Sequence, residues 1–147
     1  MTQRVLVFEG DAAFAGELEA ELGKHGFEVR VVDDGNAGMR EAALAPPDLI
    51  LLAAELPKMS GFSVCNRLKK DPKLQSIPIL ILSKDSTDET VELHKKLKTR
   101  ADDYVRVPLD PSDLLEHMRA LVPAGGSGSK MRSNSPSDGS ELLVDED

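Results

Sequence analysis

Apolar and polar positions follow two alternating periodicities along the chain, and together they predict five strand and helix pairs in succession. Arg4–Phe8 is a short apolar run typical of a strand, whereas in Ala12–Lys24 the apolar residues recur every four positions, which indicates an amphipathic helix. Leu49–Leu52 and Ile79–Leu82 are apolar throughout, as expected for central parallel strands covered on both faces. We therefore expect an α/β fold with a doubly wound five-stranded parallel sheet.

Start and stop signals set the expected bounds of the other elements. Ser86-Thr87-Asp88-Glu89 has the spacing of a capping box, and Asp110-Pro111 is typical of an N-cap followed by proline at the first helical position. The further strands and helices that we expect are Phe27–Val32, Asn36–Ala45, Gly61–Lys70, a helix from about Ser86 to Thr99, Tyr104–Val107, and a helix from Pro111 to Val122.

The length of 147 residues fits one domain and an additional segment. We expect a domain over residues 1–124 and a flexible, acidic tail or linker over residues 125–147, because Gly, Ser, Asn and Pro predominate there and little apolar surface offsets the entropy of ordering. The triplet Leu142-Leu143-Val144 interrupts this composition. It is either a solvated triplet or the start of a segment that docks elsewhere.

Charge and cysteine content exclude several classes of function. The formal net charge of −8 disfavours nucleic acid as a partner, because nucleic-acid affinity depends on basic surface. The single cysteine, Cys65, allows no intramolecular disulfide, which favours a cytoplasmic location. The apolar run that follows Met1-Thr2-Gln3 is too short for a signal sequence or for membrane insertion.

Candidate chemistry is expected where the strands end, because the functional crevice of an open parallel sheet lies beyond the carboxyl ends of its strands. The residues expected at this edge are Glu9, Gly10 and Asp11, Ala53 to Glu55, Ser83 and Lys84, and Val107 and Pro108. No glycine-rich phosphate loop follows the first strand, and no cluster of nucleophile, base and orienting residue is visible. A small α/β enzyme or a nucleotide-binding protein is therefore disfavoured.

The run Asp48–Gly61, the strand-end residues and Ala101-Asp102-Asp103-Tyr104 resemble the response-regulator receiver (CheY-like) family. The resemblance covers Arg4 to about Val122 and implies the flavodoxin-like (βα)5 receiver fold. Within the family, the chain is most similar to an atypical pseudo-receiver domain of a gliding-motility protein. That similarity implies a signalling module in motility control, in the cytoplasm and at cell poles.

Three positions depart from the pattern of the family. Ala53 stands where receivers carry the phosphoaccepting aspartate, and a methyl group cannot attack a phosphoryl group. Gly10 replaces the aspartate that coordinates magnesium, and Val107 replaces the lysine that contacts the phosphoryl oxygens. Glu9 matches the remaining acid and Ser83 the conserved hydroxyl of the family pattern. We therefore expect a degenerate phosphorylation site without catalysis, metal or cofactor.

Lys84 replaces the small residue that leaves room for the phosphate in receivers. Its ammonium group either pairs with Glu9 or Glu55 and fills the site, or points into water; the sequence favours neither. The resemblance further implies a cis peptide bond before Pro108. Tyr104 matches the aromatic switch residue of receivers, although an ordinary half-buried strand tyrosine is an equal alternative.

The helix before the fifth strand places His94 close enough to face Tyr104, and we expect the two side chains to be in contact. The function that we expect is a phosphorylation-independent interaction module. It would bind protein partners through the surface of the fourth helix, fifth strand and fifth helix. The alternative is a phosphoacceptor in a two-component phosphorelay that uses a displaced acid, Glu55 or Asp11.

Overall fold

The structure, a computed structural model, describes residues 3–122. They form a single sheet of parallel strands in the order β2-β1-β3-β4-β5. The elements are β1 (Arg4–Phe8), α1 (Ala12–Lys24), β2 (Glu28–Val32), α2 (Gly35–Leu44), β3 (Leu49–Ala53), α3 (Gly61–Lys70), β4 (Ile79–Ser83), α4 (Asp88–Lys95), β5 (Asp103–Arg106) and α5 (Pro111–Leu121). The expected doubly wound α/β fold is confirmed, and the proposed tail over residues 125–147 lies outside the described residues.

The central strands divide the core into two layers, one on each face of the sheet. In β3, Leu49 and Leu51 face a layer that includes α1 and α5, whereas Ile50 and Leu52 face the layer that includes α2 and α3. All four side chains are fully or almost fully buried. This explains why the sequence of β3 is apolar at every position.

The fourth helix is shorter than the capping box and the apolar spacing predicted. It begins after the N-cap Thr87 and ends at Lys95, not at Thr99. After Lys95 the backbone bonds tighten to i+3 spacing, and the Thr99 hydroxyl donates to Asn66 Oδ1 on α3 at 2.6 Å. The prediction of a helix to Thr99 was wrong because this tertiary contact draws the segment towards α3.

The first turn of α3 packs directly on the end of β3. A Cβ atom built on Gly61 would lie 2.0 Å from the carbonyl oxygen of Ala53, so any side chain at this position collides with backbone. The Gly61 N–H donates to the Ala54 carbonyl at 2.8 Å. This close approach fixes the backbone around Ala53, which is where the candidate site begins.

Candidate functional site

The switch in strand order between β1 and β3 opens a crevice at the carboxyl ends of the strands. A cavity of about 390 Å³ lies there, and its lining includes Glu9, Gly10, Ala53, Glu55, Lys84 and Val107. Most of the strand-end residues singled out in the sequence therefore meet at one place. Ser83 instead lines a separate cavity between α4 and β5, and its hydroxyl is buried without a hydrogen-bond partner.

Ala53 ends β3 and is 4% exposed. Glu9, which directly follows β1, is equally buried, and its Oε2 accepts a hydrogen bond from the Asp11 N–H at 3.0 Å. Burial raises the pKa of the Glu9 carboxyl, and the Asp11 hydrogen bond and the charge of Lys84 offset this only in part. The floor of the cavity thus offers one buried acid with a raised pKa and a methyl group.

Gly10 makes a contact that the sequence pattern did not indicate. A Cβ atom built at this position would lie 2.8 Å from Cδ of Pro57 and 2.9 Å from its Cγ. The proline ring has no flexible end that could move away, so an aspartate at position 10 requires a shift of the β3–α3 loop. The missing magnesium ligand is therefore excluded by packing as well as absent from the sequence.

Asp11 serves two structural roles. Its Oδ1 accepts from the N–H groups of Ala13 and Phe14 at 3.0 and 3.2 Å, which caps the N-terminus of α1. Its Oδ2 lies 3.3 Å from Lys84 Nζ. The backbone hydrogen bond from Phe14, followed by the side-chain bond from Lys84, lowers the pKa of the Asp11 carboxyl.

Lys84 therefore reaches the site but has a different partner from those expected. Its ammonium group pairs with Asp11, not with Glu9 or Glu55, and lies 4.9 Å from the centroid of the Phe14 ring. The sequence left open a pair with Glu9 or Glu55 and an ammonium group in water; the structure shows a pair with Asp11 instead, because the capping geometry of Asp11 turns its second carboxylate oxygen towards the lysine. Lys84 supplies a positive charge to the cavity, whereas Val107, which directly follows β5 and also lines the cavity, is apolar and buried.

Glu55 binds the β4–α4 loop. Its Oε1 accepts from the Lys84 N–H at 3.1 Å, and its Oε2 accepts from the Asp85 N–H at 3.2 Å, the Ser86 N–H at 2.9 Å and the Ser86 hydroxyl at 2.6 Å. Burial alone would raise the pKa of Glu55, but the hydrogen bonds from Ser86, Lys84 and Asp85 outweigh it and lower the pKa. Sequence reasoning missed this role because three of the donors are backbone groups, which leave no residue signature.

The donor set does not fit a magnesium ion. Octahedral oxygen coordination needs carboxylates that point into one space, yet Glu55 is committed to the loop and Asp11 to the α1 cap and Lys84. Gly10 offers no side-chain oxygen. Among residues 3–122, no group of three or more His, Cys, Asp or Glu side chains is arranged to hold a metal ion.

Tyr104 and His94 are in contact on the other side of β4. The His94 Nδ1 and the Tyr104 hydroxyl form a hydrogen bond, and the two rings meet edge to face at 75° with centroids 5.7 Å apart. The tyrosine oxygen also accepts from the Ala101 N–H at 2.9 Å. Burial raises the pKa of the Tyr104 hydroxyl to about 12. The phenol therefore stays protonated and can donate its hydrogen bond to the histidine.

The second nitrogen of His94 fixes its tautomer. Nε2 lies 2.9 Å from Asn66 Oδ1, an oxygen that can only accept, so Nε2 carries the proton and Nδ1 accepts from Tyr104. Burial lowers the pKa of His94, which is 5% exposed, so the ring stays neutral near neutral pH. Asn66 was missed in the sequence because its partners lie on other elements. The tyrosine is held inward by a neutral hydrogen-bond network.

The peptide bond between Val107 and Pro108 is cis. At the opposite end of β5, His117 of α5 pairs with Asp103, the first residue of the strand. The described residues include no helix with the length and apolar character needed to cross a membrane.

The response regulator receiver domain family matches residues 5–119, and the chain belongs to this family. It is 34% identical over 119 residues to the DNA-binding dual master transcriptional regulator RpaA of Synechocystis sp., and 36% identical over 122 residues to the DNA-binding response regulator MtrA of Mycobacterium tuberculosis. These matches cover 81% and 83% of this chain but 48% and 51% of the relatives. The chain thus spans about half the length of these relatives.

A third relative is the Adventurous-gliding motility protein Z of Myxococcus xanthus, which is 30% identical over 125 residues. That match covers 85% of this chain and 9% of the relative.

Solved structures show the same architecture. The signal receiver domain of a signal transduction histidine kinase from Syntrophus aciditrophicus has a TM-score of 0.76 and 26% identity, over 92% of this chain and 99% of that one. A response regulator from Chloroflexus aurantiacus has a TM-score of 0.76 and 24% identity, over 82% of this chain and 98% of that one. These likenesses confirm the CheY-like receiver fold, the architecture of a signalling module.

Proposed function

We propose that this receiver domain works without phosphorylation, as a module that binds protein partners. The observation that carries the proposal is the buried Ala53 at the position of the phosphoaccepting aspartate, with no oxygen nucleophile to replace it. The packing of Pro57 on Gly10 and the apolar Val107 support the same conclusion. We assign these positions to a degenerate phosphorylation site that has no catalytic role.

The displaced-acid alternative is disfavoured by the hydrogen bonds of both candidates. Glu55 accepts four hydrogen bonds from the β4–α4 loop, and Asp11 caps α1 while it pairs with Lys84. A carboxylate that attacks a phosphoryl group must give up such partners. The lysine beside Asp11, Lys84, is already paired with its carboxylate, and among residues 3–122 no group of three or more potential metal ligands accompanies either acid.

For the interaction surface we propose α4, β5 and α5. Tyr104 and His94 lie beneath it, and the network that holds the tyrosine inward gives this surface one fixed shape. The chain resembles the receiver domain of the gliding-motility protein FrzS, and a relative at 30% identity is also a gliding-motility protein. We therefore propose a cytoplasmic module, residues 1–124, that recruits partners at cell poles, with residues 125–147 as a linker.

An amide NMR comparison tests the central proposal. Spectra of the chain are recorded alone, with magnesium, and with magnesium and beryllofluoride, which mimics a phosphorylated aspartate. We expect no saturable shifts at Glu9, Ala53 or Tyr104. Saturable shifts at these residues would show that the pocket still binds a phosphoryl-like ligand and would refute the proposal. A receiver with its aspartate intact serves as the positive control.

The recruiting surface is tested separately with Tyr104→Phe, which keeps the ring but removes both hydrogen bonds of the hydroxyl. We expect weaker capture of whichever partner the wild-type chain binds, and a loss of stability of about 1–3 kcal/mol that leaves the domain folded under the conditions of the binding assay. The matched control is Leu44→Ala, which changes an α2 leucine that is 84% exposed. Equal capture by the wild type and by Tyr104→Phe would contradict the role proposed for this surface.

A further inference from the structure

The segment from Leu93 to Arg100 presents exposed leucines among exposed cations. Leu93 and Leu97 are 57% and 43% exposed, and they lie four positions apart on the same side of α4 and the turn that follows it. Lys96, Lys98 and Arg100 are also exposed. We call these five residues the basic–apolar patch.

The cations of this patch lack acidic partners. Within residues 3–122, Lys96, Lys98 and Arg100 form no ion pair, although Lys95 pairs with Glu92 at 3.0 Å. Lys98 and Arg100 also line an open cavity of about 470 Å³, together with Lys69. Asp102 is the acid in that lining, and its Oδ2 already accepts from Lys69 at 2.7 Å and from the Ile79 N–H at 2.8 Å.

This positive region is unusual for the chain as a whole, whose formal net charge is −8. An acidic ligand is repelled by most of the surface and attracted to the region where unpaired cations concentrate. Two half-exposed leucines on the same segment of the chain, Leu93 and Leu97, add apolar area that such a ligand can bury. The chemistry that fits the patch is therefore a short peptide with apolar residues flanked by acids.

The chain contains a segment with this composition, Glu141–Asp147, in which Leu142, Leu143 and Val144 are preceded by a glutamate and followed by three acids. We propose that Glu141–Asp147 binds the basic–apolar patch of the same molecule. The apolar triplet covers Leu93 and Leu97, and the acids pair with Lys96, Lys98 and Arg100. This proposal does not depend on whether the domain is phosphorylated.

The length of the connection allows this contact. A Gly/Ser-rich chain spans about 5–6 Å multiplied by the square root of its residue number, so residues 123–140 correspond to roughly 20–25 Å. A folded domain of about 120 residues has a radius of gyration of roughly 14 Å, so much of its surface lies within that reach of the end of α5. The link gives an effective concentration of the order of millimolar, which allows a weak contact to be populated.

One consequence is competition at the surface that we propose for partners. If Glu141–Asp147 lies on α4, a partner must displace it, and a partner with the same acidic and apolar chemistry is the kind that can. Displacement would be easier at high salt, because the ion pairs are exposed to solvent.

The test uses the 147-residue chain and changes only the segment, so that the fold is not perturbed. Amide spectra of the wild type are compared with those of Leu142→Ser/Leu143→Ser. We expect shifts at Leu93, Lys96 and Leu97 that differ between the two proteins, and a smaller difference in 0.5 M salt. Lys130→Gln, which changes a charge elsewhere in residues 125–147, should leave these α4 shifts at their wild-type values.

The patch is tested from the other side with Leu97→Asp, an exposed position where a charge does not disturb the core. In the Leu97→Asp protein, adding Leu142→Ser/Leu143→Ser should change no amide shift on α4. In the control protein Leu44→Asp, which places the same charge on an exposed position of α2, adding the two serines should still change the α4 shifts. Identical α4 spectra of the wild type and Leu142→Ser/Leu143→Ser would overturn the proposal. Shift differences that disappear on tenfold dilution would also overturn it, since they would show that a second copy is bound.

Discussion

Replacement of Glu55 by alanine tests whether this carboxylate holds the β4–α4 loop. The change removes the acceptor of four hydrogen bonds, three from backbone N–H groups of residues 84–86 and one from the Ser86 hydroxyl. No other described side chain accepts from these three N–H groups. We therefore expect the loop to open locally while the sheet remains intact.

The magnitude follows from the number and the exposure of these bonds. The net contribution of a hydrogen bond to the free energy of unfolding is about 0.5–1.5 kcal/mol, and that of a bond to a charged group is about 1.5–3 kcal/mol. The bonds from Lys84 and Asp85 are exposed, so their donors regain water when the carboxylate is removed, and the lower values apply to them. We expect Glu55→Ala to lower the free energy of unfolding by about 2–3 kcal/mol. Glu55→Gln, which keeps one acceptor oxygen, should lower it by about 1 kcal/mol.

Two measurements check this prediction. Urea unfolding gives the free energy, and native-state hydrogen exchange gives the local opening. A decrease of 2 kcal/mol in the opening free energy corresponds to exchange about 30-fold faster at the amides of Lys84, Asp85 and Ser86. Protection of the amides in β3 should change only as much as the global stability does.

The sign of the pH dependence gives an independent check. The pKa of Glu55 is lowered in the folded protein, so its stabilisation is complete above the unfolded value of about 4.5 and is lost as the pH falls through the folded pKa. The stability difference between wild type and Glu55→Ala should therefore shrink at acidic pH. Unchanged exchange at residues 84–86, or a difference that stays constant from pH 7 to pH 3, would refute the reasoning.

Three further predictions concern the same edge of the sheet. Burial raises the pKa of Glu9, so the wild type should lose stability relative to Glu9→Gln as the pH rises above about 4.5; parallel urea-unfolding profiles of the two proteins would contradict this. Ala53→Asp should be less stable by about 1–3 kcal/mol, since a carboxylate enters a buried position next to Glu9, and it should gain no phosphoryl group from acetyl phosphate and magnesium. Detection of a phosphorylated Ala53→Asp protein by mass spectrometry would show that Gly10 and Val107 do not prevent phosphorylation. Gly61→Ala should lower the free energy of unfolding by about 3 kcal/mol, because its Cβ would lie 2.0 Å from a backbone oxygen. The control Gly16→Ala has no atom within 4 Å of the added Cβ and should cause no loss of stability. Equal midpoints of the two variants in thermal unfolding would be inconsistent with this packing.

The fold could be predicted from the sequence because its signals are local. Leu49–Leu52 and Ile79–Leu82 are apolar at every position, and only strands buried on both faces require that pattern. The end of α4 could not be predicted in this way. Its helical pattern continues to Thr99, but a hydrogen bond to Asn66 on another helix ends the regular structure earlier. Propensity is a weak prior that tertiary contacts override.

The partners of the site residues were also beyond sequence reasoning. Lys84 was expected to choose between Glu9, Glu55 and water, yet it pairs with Asp11, since the capping role of that residue orients its carboxylate. Glu55 appeared as a candidate acceptor of a phosphoryl group, but its partners are backbone N–H groups. A backbone donor is present at every non-proline position, so no residue type in the sequence marks it.

Two contacts of this chain occupy the crevice at positions that depart from the family pattern. Pro57 packs on Gly10, and Lys84 pairs with Asp11 in a cavity that is also lined by the apolar Val107. Each of these contacts opposes a single substitution towards the family pattern: an aspartate at position 10 meets the proline ring, and a lysine at position 107 brings a second cation near Lys84. Several substitutions would therefore be needed together to build the phosphorylation site of the family pattern in this crevice. We infer that the crevice now acts as a fixed support for the β4–α4 loop, and through it for the start of α4, whatever partner that helix meets.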